Sequence, residues 1–203
     1  MSDLNVKQYE TCNSPTWCPG CGNNPILIAV RKALVNLGIE PHEVAFTFDI
    51  GCNSNGANFL NGYICHALHG RSLPPAEAIR LANHNLKAII SFAGDGGGFG
   101  IGIGHFIHAC RRNIDILYLT HDNQIYGLTT GQTSPTSSKG VKTKSTPFGN
   151  PEEPVNPPAL ALSSSATWVA RGFAGEINHL TSLIEKGIKH PGFAHLDVFQ
   201  PCV

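Results

Sequence analysis

Apolar and polar residues alternate along this chain in blocks whose spacing predicts strands and helices in turn. Apolar runs at 44–49, 87–93, 114–121, 167–170 and 194–199 are short and carry β-branched and aromatic residues, as buried strands do. Between them the apolar positions move to helical spacing. Pro25 opens a predicted helix at 25–37, where Ile26, Leu27, Val30, Leu34 and Leu37 share one face and Gly38 follows as a stop. Further helices are predicted at 76–82, 99–111 and 176–189. Strands alternating with helices predict an α/β fold with a doubly wound, mostly parallel sheet.

Three segments break the pattern. Residues 1–22 read as an irregular lead-in, and 53–61 as a polar loop containing Gly56. Residues 129–165 form a long stretch rich in Thr, Ser, Pro and Gly, a length that implies a functional or a disordered loop. No internal repeat is present. The chain therefore reads as one domain, 1–203, behind an N-terminal lead-in.

Composition narrows the function. The 203 residues carry 14 basic and 14 acidic side chains, for no formal net charge. Without a basic block there is no electrostatic footprint for nucleic acid. Charged residues make up only 14% of the chain, which is low and implies a surface buried against a partner. No apolar run reaches the length of a membrane span, and the polar start lacks a signal-peptide core. A cytoplasmic location is expected, with no membrane contact.

Two strand ends carry the chemistry. The run 87–93 ends in Gly94-Asp95-Gly96, and 114–121 ends in Asp122-Asn123-Gln124-Ile125-Tyr126-Gly127. In a parallel sheet both ends open on the edge where such sheets bind ligands. The carboxylate of Asp95, the amide oxygen of Asn123 and the carbonyl of Ile125 would form a hard oxygen site for Mg²⁺. That ion keeps few protein ligands and takes the rest from water and phosphates. Gly94 and Gly96 let the backbone approach a phosphate, and the following helix start attracts anions. Alone, Gly94-Asp95-Gly96 reads better as a turn. Its pairing with Asn123, one helix and one strand away, favours a diphosphate site.

The seven cysteines stand at 12, 18, 21, 52, 65, 110 and 202, an odd number that argues against a disulfide framework. Cys18-Pro19-Gly20-Cys21 lies in the lead-in, Cys52 after a strand and Cys202 after the last strand. Four such thiolates could ligate zinc or a [4Fe–4S] cluster, while the CxxC alone could equally be a redox pair. Cys12 is an alternative ligand but reads better as a free thiol. Cys65 and Cys110 read as small core residues.

The pattern of Gly94-Asp95-Gly96, then helix and strand, then Asn123 resembles the thiamine-diphosphate enzymes. That resemblance implies Mg²⁺ held by Asp95, Asn123 and the Ile125 carbonyl. Trp17 to Gly22, Asp49-Ile50-Gly51-Cys52, His69-Gly70-Arg71, the Asp95 motif and Tyr126 to Gln132 follow in order. Together they resemble the β subunit of 2-oxoacid:ferredoxin oxidoreductases. The resemblance implies the fold of a thiamine-diphosphate-binding domain and cofactor contacts from Ile50, Gly51, Cys52, Asn53, His69, Gly96, Gly97, Gly127 and Leu128. It also implies a [4Fe–4S] cluster on Cys18, Cys21, Cys52 and Cys202. Relatives continue past the last of these cysteines, so it further implies a chain cut short, or a short version, after Cys202.

The activity implied is coenzyme A-dependent oxidative decarboxylation of a 2-oxoacid such as pyruvate or 2-oxoglutarate, with electrons passing to ferredoxin. No catalytic residue is expected in this chain. The glutamate that activates thiamine is expected on a separate α subunit, in its pyrimidine-binding domain. Asn55 stands where many members of that family carry Lys or Arg, and Thr130 where some carry Lys, which removes charge from the expected site mouth. Two other readings remain at this stage: a thiamine-dependent decarboxylase subunit without redox chemistry, and a zinc-stabilised subunit without catalysis.

Overall fold

The computed structural model describes residues 4–203; the first three residues of the expected lead-in lie outside the described part. Strands β1 (Val44–Phe48), β2 (Tyr63–His66), β3 (Ala88–Gly94) and β4 (Ile116–Asp122) come first. A short hairpin follows, β5 (Ile125–Tyr126) with β6 (Gln132–Thr133), then β7 (Trp168–Phe173) and β8 (Phe193–Phe199). The helices are α1 (Asn23–Asn36), α2 (Leu73–Ala82), α3 (Ile103–Arg112), α4 (Pro157–Ser163) and α5 (Ile177–Lys189).

Six strands form one parallel sheet in the order β2-β1-β3-β4-β8-β7. Alternate side chains of each strand face opposite sides, which divides the apolar residues into two cores. On one face Phe46, Ile90, Leu117, Leu119, Leu196 and Val198 pack under α1 and α5. On the other, Ala45, Ile89, Ile116, Tyr118 and Phe193 pack under α2, α3 and α4. Chain order reverses between β1 and β3. A crevice must therefore open at the C-terminal ends of these strands, where Asp49 and Asp95 stand.

The structure departs from the predicted elements at identifiable places. Helix α3 starts at Ile103 rather than 99, because Gly97–Ile101 form a wider π-type turn broken at Gly100. Helix α2 starts at Leu73, since Pro74 and Pro75 suit a first turn. The expected polar loop 53–61 holds a 3₁₀ turn, Asn53–Asn58. The long 129–165 segment contains β6 and α4, and β7 runs on to Phe173. Edge strand β2 was not predicted. Cys110 is buried as expected, whereas Cys65 lies half-buried on that edge strand. Among the described residues no helix is long and apolar enough to cross a membrane.

Candidate functional site

The crevice is a cavity of about 350 Å³ at the C-terminal ends of β1, β3 and β4. All nine predicted cofactor-contact residues line it: Ile50, Gly51, Cys52, Asn53, His69, Gly96, Gly97, Gly127 and Leu128. Asp95, Asn123 and Ile125 line the same cavity. Gly94, expected to let the backbone approach a phosphate, lines it too, and His121, Tyr126, Thr129 and Gln200 complete it without having been expected as site residues. Tyr126 and Thr129 belonged to a quoted motif, but His121 and Gln200 carried no signal at all.

Beyond β1 the chain turns sharply at Gly51, whose φ of +152° suits glycine. The turn is tied by Asp49, whose Oδ1 accepts from Asn53 Nδ2 at 3.1 Å and Ser54 Oγ at 3.2 Å. Burial pushes the Asp49 carboxyl up to about 6, against the pull of those bonds and of His69. Its Oδ2 is buried and accepts no well-formed hydrogen bond, although the nearby Gly70 backbone N–H also pulls the carboxyl down. A Cβ on Gly97 would stand 2.0 Å from that oxygen. His69 is held by a 3.1 Å contact between its Nδ1 and the Ile50 carbonyl.

Beyond β3, Gly96 lies under the ring of Tyr126, where a Cβ would come within 2.2 Å. The Tyr126 hydroxyl donates to the Gly96 carbonyl at 3.0 Å. Gly96 and Gly97 are therefore required by space, and they leave bare backbone on the cavity wall. Asp95 is 2% exposed, and burial raises its carboxyl to about 6. Thr136 Oγ1 lies 2.6 Å from Asp95 Oδ2 and 2.8 Å from Asp122 Oδ1.

Beyond β4, Asn123 Oδ1 accepts the Ile125 N–H at 3.1 Å, and Gln124 takes a φ of +60°. This tight Asn turn fixes where the Ile125 carbonyl points. Asp95, Asn123 and Ile125 thus meet at one cavity, as a shared oxygen site requires. The buried Asp95 carboxyl on the cavity wall, raised by desolvation, fits a site built to receive positive charge.

The four predicted cluster cysteines also gather. Trp17 Nε1 donates to the Cys52 carbonyl at 2.6 Å, which ties the lead-in to the turn beyond β1. The Gly22 N–H donates to the Pro201 carbonyl at 3.1 Å, which brings the C-terminal segment beside the CxxC. A Cβ on Gly127 would lie 3.3 Å from Cys202 Sγ and 3.8 Å from Cys52 Sγ. Burial first, then the neighbouring thiols Cys21, Cys202 and Cys18, raise the Cys52 thiol above its usual range. Cys202 is raised in the same way by burial, Cys21 and Cys18. These mutual effects join Cys18, Cys21, Cys52 and Cys202 into one set, while Cys12 is exposed on the lead-in. Among the described residues no three His, Cys, Asp or Glu side chains converge on a single ion.

Among the described residues no lysine or arginine lines the cavity. Lys144, however, donates through Nζ to Thr130 Oγ1 at 2.6 Å. The hairpin bordering the cavity therefore carries a cation beside Thr130, where the sequence alone suggested lost charge.

A glycine cradle, a buried carboxylate and an amide at the switch point of a parallel sheet define a diphosphate-binding α/β domain. The family described as "Thiamine pyrophosphate enzyme, C-terminal TPP binding domain" matches residues 49–198. The 2-oxoacid:ferredoxin oxidoreductase subunit beta of Saccharolobus solfataricus is 49% identical over 188 residues, covering 92% of this chain and 61% of that one. The 2-oxoglutarate synthase subunit KorB of Archaeoglobus fulgidus is 38% identical over 186 residues, covering 92% of this chain and 69% of its own. Among solved structures, 2-oxoglutarate:ferredoxin oxidoreductase from Magnetococcus marinus, with 2-oxoglutarate, coenzyme A and succinyl-CoA bound, superposes with a TM-score of 0.97. It shares 40% identity, over 100% of this chain and 69% of that one. This chain belongs to the family of 2-oxoacid:ferredoxin oxidoreductase β subunits and is a thiamine diphosphate-binding domain. It spans about three fifths of the length of the Saccharolobus relative.

Proposed function

We propose that this chain is the cofactor-binding β subunit of a coenzyme A-dependent 2-oxoacid:ferredoxin oxidoreductase. The observation that carries this reading is the single cavity shared by Asp95, Asn123, Ile125 and Cys52. Asp95, Asn123 and the Ile125 carbonyl would hold Mg²⁺, and the bare backbone of Gly96 and Gly97 would receive the diphosphate. Ile50, Gly51, Asn53, His69, Gly127 and Leu128 would enclose the rest of the cofactor. Bound thiamine diphosphate supplies the electron sink that loosens the bond beside the 2-oxo carbon.

Cys18, Cys21, Cys52 and Cys202 would hold a [4Fe–4S] cluster. Cys52 belongs both to that set and to the cavity wall. An electron path from the thiamine site to ferredoxin would therefore be short. Reduced thiolates of this kind suit a cytoplasmic location.

Among the described residues no glutamate lines the cavity, which supports an α subunit that closes the open side and supplies the group activating the pyrimidine ring. The Magnetococcus enzyme binds 2-oxoglutarate. A dicarboxylate would suit this chain if its second carboxylate met the Lys144 side of the mouth or a cation of the α subunit.

The test is co-purification with the α subunit without oxygen, followed by viologen reduction with a panel of 2-oxoacids and coenzyme A. Activity that needs both chains, together with iron and sulfide in the complex, supports the reading. Activity from this chain alone, or zinc in place of iron, overturns it.

A further inference from the structure

We propose that Gln200 is a positioning residue that donates its amide N–H to the Cys21 sulfur and so raises the reduction potential of the cluster held there. The inference rests on the reading of Cys18, Cys21, Cys52 and Cys202 as cluster ligands. Gln200 directly follows β8 and is 7% exposed. Its Nε2 lies 4.0 Å from Cys21 Sγ, and its Oε1 lies 2.8 Å from Nδ1 of His121. Its own backbone N–H is taken by the Asp122 carbonyl at 3.0 Å.

These neighbours fix which way the amide faces. Turned over, its oxygen would meet the Cys21 sulfur and place two acceptors against each other. With His121 donating through Nδ1, the amide oxygen is satisfied and the NH₂ is aimed at sulfur.

Gly22 supplies an independent observation. Its φ of −65° and ψ of −11° are open to any residue, so the turn itself does not need glycine. A Cβ there would stand 2.5 Å from Gln200 Cγ, 2.9 Å from Pro201 Cδ and 3.2 Å from Ala174 Cβ. The glycine after the second cysteine makes room for the Gln200–Pro201 segment, with the Gln200 side chain in closest approach as it crosses to Cys21.

An N–H aimed at a ligating sulfur stabilises the negative charge that the cluster gains on reduction, which raises its potential. His121 and Gln200 both line the cavity. The row Cys21–Gln200–His121 thus joins the cysteine loop to the wall of the thiamine site.

The test is an EPR-monitored dithionite titration of the anaerobically purified holoenzyme, on the signal that Cys21→Ser abolishes. Each reduced cluster takes one electron from dithionite, and Gln200 keeps its proton. Gln200→Met preserves length without the donor. It should shift the one-electron equilibrium about tenfold toward the oxidised cluster, about 59 mV more negative. Gln200→Glu puts an acceptor in place of the donor and should fall further. Both variants should keep full iron and sulfide. Full cluster content with an unmoved potential overturns the role assigned to Gln200. Loss of the cluster from both variants also overturns it, because Gln200 would then support the cluster rather than tune it. No iron in the unmutated holoenzyme overturns the cluster reading itself.

Discussion

The hydroxyl of Thr136 lies 2.6 Å from a carboxylate oxygen of Asp95, on a segment 41 residues further along the chain. The same hydroxyl lies 2.8 Å from Asp122, whose carboxyl is pushed up to about 7 by burial first, then by Asp197 and Asp95. A hydroxyl has one proton to give. The arrangement is satisfied when Thr136 donates to an ionised Asp95 and accepts from a neutral Asp122. Thr136 then fixes the carboxylate assigned to Mg²⁺.

Replacing Thr136 by Val keeps the shape of the side chain and removes the donor. A hydrogen bond to a charged group contributes roughly 1.5–3 kcal/mol. Divalent-metal affinity should fall about ten- to a hundredfold, as read by Mn²⁺ EPR titration with thiamine diphosphate present. An unchanged Mn²⁺ affinity would remove Thr136 from the metal site.

Gly97 faces Oδ2 of Asp49, and a methyl group there would come within 2.0 Å of it. Asp49 cannot swing away cheaply, because Asn53 and Ser54 hold its other oxygen. Gly97→Ala should lower stability by about 1–3 kcal/mol, roughly 2–12 °C in Tm, and abolish retention of thiamine diphosphate. Gly104, in α3, has nothing within 4 Å of its Cβ position. Gly104→Ala should leave stability unchanged or raise it by up to about 1 kcal/mol. Equal melting curves for the two variants would refute the steric account.

Much of this site is readable from sequence because its residues sit next to the strand ends that place them. Asp95 and Asn123 each end a long buried strand, so locating β3 and β4 locates both. The four cysteines are legible as a set only through the order of the surrounding motifs. Thr136, His121 and Gln200 reach the site by tertiary folding and leave no local pattern. Strand β2 (Tyr63–His66) is short, exposed and at the sheet edge, so it shows no hydrophobic alternation. Helix α4 is hidden in a Pro-rich stretch because its prolines fall in the first turn, where a helix tolerates them. The π-type turn before α3 packs its Gly97 and Gly102 closely against Gly70, a tertiary contact that sequence spacing does not express.

The cysteine set separates by mutation. Cys21→Ser in the complex should lose the cluster signal and most of its iron, since Cys21 is buried between Cys18 and Gln200. Cys12→Ser should keep both, because Cys12 is exposed and its segment is tied to the Asn58 carbonyl through Thr11 instead. Iron and sulfide analysis of the two variants decides. A complete cluster in Cys21→Ser, or an absent one in Cys12→Ser, would reassign the fourth ligand.

His195 gives the fold a proton linkage far from the oxygen site. It is fully buried against Phe99, Phe106 and Tyr118, with Nδ1 unpartnered and Nε2 3.2 Å from Thr120. Burial, aided by Arg171, lowers it to about 3. The unfolded chain binds this proton near pH 6.5 and the folded chain does not. Its contribution is complete above about 6.5 and is lost as pH falls toward 3, at about 1.4 kcal/mol per pH unit. Asp49, Asp95 and Asp122 act oppositely, because their raised values make the fold bind protons that the unfolded chain releases above about 4. Total stability between pH 4.5 and 6.5 is therefore the resultant of opposing groups, the buried His121 among them, and His195 shows only by difference. His195→Leu removes its linkage and leaves the carboxylates in place. Urea unfolding across that range should show the variant gaining on the parent by about 1.4 kcal/mol for each unit of acidification. A constant difference between the two curves would mean that His195 is charged inside the fold or exposed to solvent.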